Sequence, residues 1–388
     1  MGRESKVMES DTVQLPQGLR VVVTELAETP LEGIENFVRV EPMGGPDPSD
    51  LKAHEVIIDI RSTAVGWVDL IMTSGQYQHA PRLPYSPGLE YAGDIVWVGA
   101  DVRPDQAKLG DRVFVDCFSV GPRTSGEYQS AGGYASYAVV PGHAVRQIPE
   151  TFSYDEACNF AGNYETAYHC IVARGQLKAG ETILIHGASG STGLAAVQIA
   201  KALGARVIAT GRSMKKLEVV KAQGADHIVC LRKEDGEPGI RRFRDDVKAL
   251  TDGLGVDVVY DGVGGAVSLE SLRCVRFGAR FLIVGWASTP FVAKGRGGRG
   301  APNANQLPTN LLLMKGLDVL GCPAVISAQH DPSLRDARKR DLLAWVKAGH
   351  LRPYISHSYP LEKAKEAMLA KWHGEIIAGC VLHPPRRS

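Results

Sequence analysis

What is missing narrows the reading of this 388-residue chain first. No uninterrupted apolar run reaches the ~18 residues that a membrane-spanning helix needs, so no such span is expected. Met1 to Val7 lack the apolar core of a secretion signal, and Lys6 stands where a myristoylation signal wants Ser or Thr. A cytoplasmic location is the expectation. Charge of either sign is not in excess: 44 Lys and Arg against 43 Asp and Glu leave a formal +1, which gives no reason to expect a nucleic-acid or membrane partner. The seven cysteines, at 117, 158, 170, 230, 274, 322 and 380, are odd in number and scattered, with no C-x-x-C pair. That pattern suggests neither a disulfide framework nor a zinc cluster, but small core residues in a reducing compartment. With 44% apolar and 22% charged residues, the chain has the composition of an ordinary globular protein, long enough for two domains with cores of their own.

What is present is organised around Glu181 to Leu203. Thr182 to Ile185 is a short aliphatic run of the kind buried on both faces of a parallel sheet. Leu194, Val197, Ile199 and Leu203 then recur at near-helical spacing, and Gly204 can stop the helix. Between strand and helix lies Ala188-Ser189-Gly190-Ser191-Thr192-Gly193, an A-x-G-x-x-G form of the dinucleotide fingerprint. A helix entered through glycines offers unpaired N–H groups and the positive end of its dipole, a seat for a pyrophosphate. A glycine-rich turn that binds nothing is the bland alternative. A serine-hydrolase elbow on Ser189 fails, because G-x-S-x-G needs glycine where Ser191 stands.

The next strand, Ala205 to Gly211, bears on which nucleotide binds. About 20 residues after the fingerprint, an NAD enzyme places Asp or Glu against the ribose 2′-hydroxyl. Here Arg212-Ser213-Met214-Lys215-Lys216 follows, without an acid. A carboxylate would repel a 2′-phosphate and these cations attract one, so NADPH is the expected cofactor.

The chain divides into a strand-rich first half and an alternating second half. Residues 19–25, 36–40, 55–63, 94–98, 109–115 and 132–140 look like strands set between Pro- and Gly-rich turns, after a polar arm of about 18 residues. Pro- and Gly-rich turns also separate the first two of these strands. From Tyr154, helices alternate with strands at 182–185, 205–211, 227–230, 256–260, 279–285 and 317–321, the pattern of a doubly wound parallel sheet. Gly262 and Gly285, at or just past the ends of two of these strands, are candidate cofactor contacts. The boundaries expected are 1–160 for the first domain and 161–323 for the nucleotide domain, with 324–388 returning to the first. Lys294 to Gly300 lie in a cationic, glycine-rich loop, Phe291 to Pro302. It is read either as a solvated loop or as a phosphate clamp.

Tyr85-Ser-Pro-Gly-Leu-Glu-Tyr-Ala-Gly93, Gly110-Asp-Arg-Val113, Gly132-Gly-Tyr-Ala135, Thr166-Ala-Tyr168 and His186-Gly-Ala-Ser-Gly190 resemble the medium-chain dehydrogenase/reductase superfamily. The branch they resemble is the zinc-free, zeta-crystallin-like quinone oxidoreductases, over roughly Glu55 to Leu382. The resemblance implies an α/β protein: a GroES-like β-barrel catalytic domain plus a Rossmann cofactor domain, with the nicotinamide in the cleft between them. Where zinc-dependent relatives carry Gly-His-Glu, this chain has Gly88-Leu89-Glu90, and the cysteine that opens their zinc site is missing from Val65-Gly66-Trp67-Val68-Asp69. No metal is therefore expected.

Three departures stand against the branch. Gly66-Trp67 replaces an Asn-Pro, so Trp67 is expected to remodel the substrate pocket. Leu231 replaces a tyrosine at the adenosine phosphate, while Lys216 matches the branch's phosphate-binding lysine. Ala378-Gly379 replaces a Gly-Lys. Asn163 and Thr166 match positions beside the nicotinamide. Tyr77, in Ser74-Gly-Gln-Tyr77, matches the proton-donating tyrosine of enoyl thioester reductases; the alternative is a tyrosine that only lines the pocket.

The implied activity is hydride transfer from NADPH to an electron-poor acceptor, a quinone first. A 2-enoyl thioester or enone reductase with Tyr77 as proton donor is the alternative, and an NADPH-binding protein without turnover is the rival of another class. A homodimer is expected through the apolar edge 317–321.

Overall fold

The computed structural model describes residues 15–77, 81–130, 132–233, 236–287 and 305–386. The basic loop at Lys294 to Gly300 lies outside the described residues, as does most of the N-terminal arm. Seven strands of the first half come in chain order: β1 (Gly18–Val23), β2 (Val38–Met43), β3 (Glu55–Ala64), β4 (Tyr91–Val98), β5 (Arg112–Val115), β6 (Tyr137–Pro141) and β7 (Val145–Gln147). β1 and β2 form an antiparallel ribbon. β3 is the hub of the larger sheet, pairing antiparallel with β4 and β6. Its residues Val56, Ile57 and Ile58 are fully buried, as a strand covered on both faces requires.

The stretch between the first two strands, expected as turns, contains a helix, Pro30–Phe37. Thr29 caps it by accepting from the Glu32 N–H at 3.2 Å, and Pro30 occupies the first turn, where its missing N–H costs nothing.

The second half builds a six-stranded, all-parallel sheet from β8 (Thr182–Ile185), β9 (Arg206–Gly211), β10 (His227–Cys230), β11 (Val256–Asp261), β12 (Val275–Ile283) and β13 (Asp318–Gly321). The order β10-β9-β8-β11-β12-β13 reverses direction between β8 and β11, beside the fingerprint. Ligands of such sheets bind at this switch point, beyond the carboxyl ends of the strands.

The segment expected to return to the first domain from residue 324 divides. Helices Ala324–His330 and Leu334–Lys347 pack on the helix Ala161–Tyr168, beside the parallel sheet. Only then do β14 (Ile355–Pro360), the helix Ala364–Trp372 and β15 (Gly379–His383) join the first half, β15 pairing with β3. No helix among the described residues is long and apolar enough to cross a membrane.

Candidate active site

The fingerprint turn is built on a buried histidine. His186 sits at the top of β8, its two ring nitrogens 2.7 Å from Thr210 Oγ1 at the end of β9 and 2.7 Å from Ser271 Oγ. Burial, only partly opposed by Asp261, pulls its pKa down to about 4, so the ring is a neutral fastener. Gly187 takes φ +63°, a left-handed conformation that side chains resist. The helix Ser191–Ala202 starts without a side-chain cap, so its first N–H groups face outward from Gly190. A Cβ on Gly193 would stand 2.3 Å from Gly187 O, so only glycine lets the helix sit this close to the turn. Gly262 and Gly285, just past β11 and β12, lie side by side: a Cβ on Gly285 would be 3.4 Å from Gly262 O, while the space over Gly262 is open. Uncapped helix, close-packed glycines and open space together fit a dinucleotide.

Other residues of the turn are tied to neighbouring segments. Thr192 Oγ1 donates to Asn163 Oδ1 at 3.0 Å, which fastens the turn to the helix Ala161–Tyr168. Thr166 Oγ1 donates to Gly162 O in its own helix at 2.7 Å. Ser191 Oγ donates to Ala378 O at 2.7 Å, and the Ala378 N–H donates to Ser189 O at 2.7 Å. Ala378 holds φ +51°, and Ala188 is fully buried.

At the end of β9, Arg212 is exposed and no acid is present before Leu217. Lys216 is not open to solvent in the same way. Its ammonium donates to Gly374 O and, at 3.0 Å, to Ile376 O. Burial lowers its pKa, with Arg212 acting in the same direction and Glu375 opposing. Leu231 is buried, and its N–H donates to Gly211 O at 2.8 Å.

In the first half, three ionisable groups to which the sequence reading gave no role are brought together. Asp69, on the helix Trp67–Met72, is 1% exposed. Its carboxylate accepts from the N–H groups of Gly66 at 2.9 Å, Gly88 at 3.0 Å and Leu89 at 3.2 Å. Burial lifts its pKa to about 6 against those three bonds. Glu90 accepts from the Gly162 N–H at 2.6 Å and is pushed up to about 7, again by burial. Arg123, 7% exposed, donates to Cys117 O at 3.1 Å and to Cys117 Sγ at 2.8 Å, and is hydrogen-bonded to Tyr77. Trp67 stacks on Trp372 with ring centroids 5.5 Å apart and planes 4° from parallel, so the tryptophan expected at the pocket meets an aromatic from the last helix.

The missed residues had little signal. Arg123, in Gly121-Pro-Arg-Thr124, reads like any surface arginine until the fold buries it. Glu90 and Asp69 were visible in the motif lines, but their partners lie in other segments.

A family model described as a zinc-binding dehydrogenase matches residues 191–333, and one described as an alcohol dehydrogenase GroES-like domain matches residues 52–150. The chain is 32% identical over 320 residues to the quinone oxidoreductase-like protein 2 homolog of Nematostella vectensis, covering 82% of this chain and 78% of that protein. It is 30% identical over 351 residues to the quinone oxidoreductase of Homo sapiens, covering 88% and 94%. A solved structure of a probable oxidoreductase from Mycobacterium abscessus has the same fold, with a TM-score of 0.75 at 27% identity over 95% of this chain and 99% of that one. One of these descriptions names zinc, and the residues here do not fit a catalytic zinc. Gly66 and Leu89 carry no ligand atoms, and the Asp69 carboxylate instead ties their backbones together. Among the described residues no group of three or more His, Cys, Asp or Glu side chains is placed to hold a metal ion.

Proposed function

The chain belongs to the medium-chain dehydrogenase/reductase superfamily, in its quinone oxidoreductase-like branch, and we propose that it is an NADPH-dependent, zinc-independent reductase that passes hydride to an electron-poor acceptor, a quinone first. The observation that carries the reading is the region around Gly66 and Leu89, where a buried carboxylate bound by three N–H groups leaves no room for Lewis-acid chemistry through those two residues. Without a metal to polarise it, an alcohol or simple ketone is a poor partner at neutral pH, whereas a quinone, enone or enoyl thioester accepts hydride readily. Arg212 and Lys216, in a stretch of sequence without Asp or Glu, support NADPH over NADH.

The cofactor, when bound, supplies hydride at nicotinamide C4. The chain's part is placement. Gly187 to Gly193 and the helix start would seat the pyrophosphate, Gly262 would leave room for the rest of the cofactor, and Asn163 holds the turn to the helix Ala161–Tyr168. Trp67 and Trp372 offer flat apolar surface to a planar acceptor.

A second reading, reduction of the C=C bond of an enone or 2-enoyl thioester, is favoured by the bond between Tyr77 and Arg123. Steady-state assays with NADPH and either a quinone or a 2-enoyl thioester separate the two. If the enzyme reduces the quinone, Tyr77→Phe lowers kcat less than about tenfold, because a quinone ring takes its proton from water. If it reduces the enoyl group, the same change lowers kcat by about 10²–10⁴-fold. Binding of NADPH without turnover of any such acceptor would overturn both readings in favour of a binding protein.

A further inference from the structure

Lys371 stands on the inward face of the helix Ala364–Trp372. It follows Ala364, Ala367 and Met368 by seven, four and three residues, the spacing that aligns one side of a helix, and those three side chains are fully buried. Two lysines at the start of the same helix have partners: Lys365 donates to Glu35 O at 2.8 Å, and Lys363 pairs with Glu366 at 3.2 Å. The half-buried Lys371 makes no ion pair among the described residues, and its one hydrogen bond there runs to Ala378 O at 3.4 Å, long for an N–H donor. An ammonium has three donors, so two are left over. Burial lowers its pKa; Cys380, Asp69 and Glu90 oppose that, but both carboxylates are tied to backbone N–H groups. A lysine on an inward face costs free energy unless an anion meets it.

Ala378 places this ammonium beside the fingerprint turn. The Ala378 N–H donates to Ser189 O at 2.7 Å, and the residue bridges in parallel register to Gly190. Its carbonyl accepts from Ser191 Oγ at 2.7 Å as well as from Lys371, so the ammonium and the first residue of the helix Ser191–Ala202 share one acceptor. That helix starts without a side-chain cap, which leaves its first N–H groups available. Lys371 comes to the same place from the last helix, which packs on the first half of the chain. Free N–H donors and a cation without a counter-ion are together what a diphosphate needs. Lys216, by contrast, is committed to Gly374 O and Ile376 O, at the other end of the same segment.

We propose that Lys371 is a cofactor-binding residue, the cation that meets the diphosphate bridge of NADPH at the start of the helix Ser191–Ala202. The inference rests on the reading of Ala188 to Gly193 as the dinucleotide seat. It divides the work among the cations. Arg212 and Lys216 answer the adenosine 2′-phosphate, which NADPH carries and NADH lacks. Lys371 answers the diphosphate, which the two cofactors share. It therefore sets the affinity for both and leaves the choice between them untouched.

The test is calorimetric binding of NADPH and of NADH to the cofactor-free full chain, with melting temperatures measured alongside, in the parent, Lys371→Gln, Lys371→Met and Lys371→Arg. Lys371→Gln keeps a donor for Ala378 O and loses the charge. It should weaken both cofactors by about 10–100-fold, the value of one charge-assisted contact, with the ratio of the two affinities unchanged. Lys371→Met should weaken them as much, yet melt at or above the parent when free of cofactor, because an apolar side chain replaces an unpaired charge on a buried face. Lys371→Arg, which keeps the charge, should bind both more tightly than Lys371→Gln does. Inorganic pyrophosphate should compete with NADPH in the parent and about tenfold more weakly in Lys371→Gln.

Affinities in Lys371→Gln within about twofold of the parent, a loss confined to NADPH, an Arg variant no tighter than the Gln variant, or equal competition by pyrophosphate would each overturn the inference. So would a Lys371→Met protein that melts lower or does not fold, which would make Lys371 a strut for the Ala378 carbonyl. In all of these cases the parent still binds NADPH, and the reductase reading stands. A parent that binds neither cofactor overturns that reading, and this inference with it.

Discussion

Glu90 is the side chain whose titration should be visible in the stability of the protein. Burial lifts its carboxyl from 4.5 to about 7; Asp69 and Glu165 add to the rise, and the Gly162 N–H and Arg123 oppose it. Between those two values the unfolded chain has released the proton and the folded one still holds it. Raising pH through that window therefore favours unfolding. Glu90→Gln keeps the shape and cannot ionise, so its melting temperature relative to the parent should rise as pH goes from about 5 to 8. A constant difference across that range would show that Glu90 does not titrate as described.

Arg212 and Lys216 give a second prediction at the same scale. Replacing both with Ala should raise the KM for NADPH by about tenfold or more, the value of a lost charge-assisted contact, and leave NADH within about twofold. Equal kinetics with both cofactors in the parent would contradict it. Lys216 already donates to Gly374 O and Ile376 O, so Lys216→Ala alone should also loosen that loop.

Elements with a strong local signal were legible, and those defined by distant partners were not. The strand-turn-helix around Gly187 to Gly193 follows from one continuous pattern: a run of aliphatic residues, glycines, then apolar residues at helical spacing. The parallel strands near it were legible for the same reason. The helix Pro30–Phe37 carries its own N-terminal signal in Thr29-Pro30, but it is short, contains Gly33 and follows turn-like sequence. β14, Ile355–Pro360, alternates polar and apolar residues only weakly and is defined by pairing with β15, so its sequence gave no warning. In the site, Arg123 and Tyr77 stand 46 positions apart, and nothing local links them.

The element scale also supplies a prediction. A methyl group at Gly193 would press on Gly187 O at 2.3 Å, a backbone atom that cannot turn aside. Gly193→Ala should therefore destabilise the nucleotide domain by about 1–3 kcal/mol and weaken NADPH binding at the same time. An unchanged melt with full NADPH affinity would show that the turn is not packed as described.

At the scale of the molecule, the parallel sheet ends at β13, whose second edge has no partner strand among the described residues. Near it lie large apolar side chains open to water: Leu313 at 80% exposed, Met314 at 75%, Phe277 at 80% and Val319 at 38%. An apolar edge of this kind invites pairing, and a two-fold dimer through β13 would cover it. Light scattering should give a dimer, and Val319→Lys with Leu313→Asp should give a folded monomer. A parent protein that is monomeric at assay concentration would rule the dimer out.

The whole-molecule claim is that the two halves close on a cleft in which hydride passes from NADPH to an electron-poor acceptor without a metal. Single-turnover oxidation of NADPH carrying deuterium at the transferring C4 position, after exhaustive chelation, tests it most directly. The account predicts that a quinone or enoyl thioester oxidises the bound NADPH and that deuterium slows the step several-fold. Bound NADPH that stays reduced before each of these acceptors, or oxidation that returns only when zinc is added back, would contradict it.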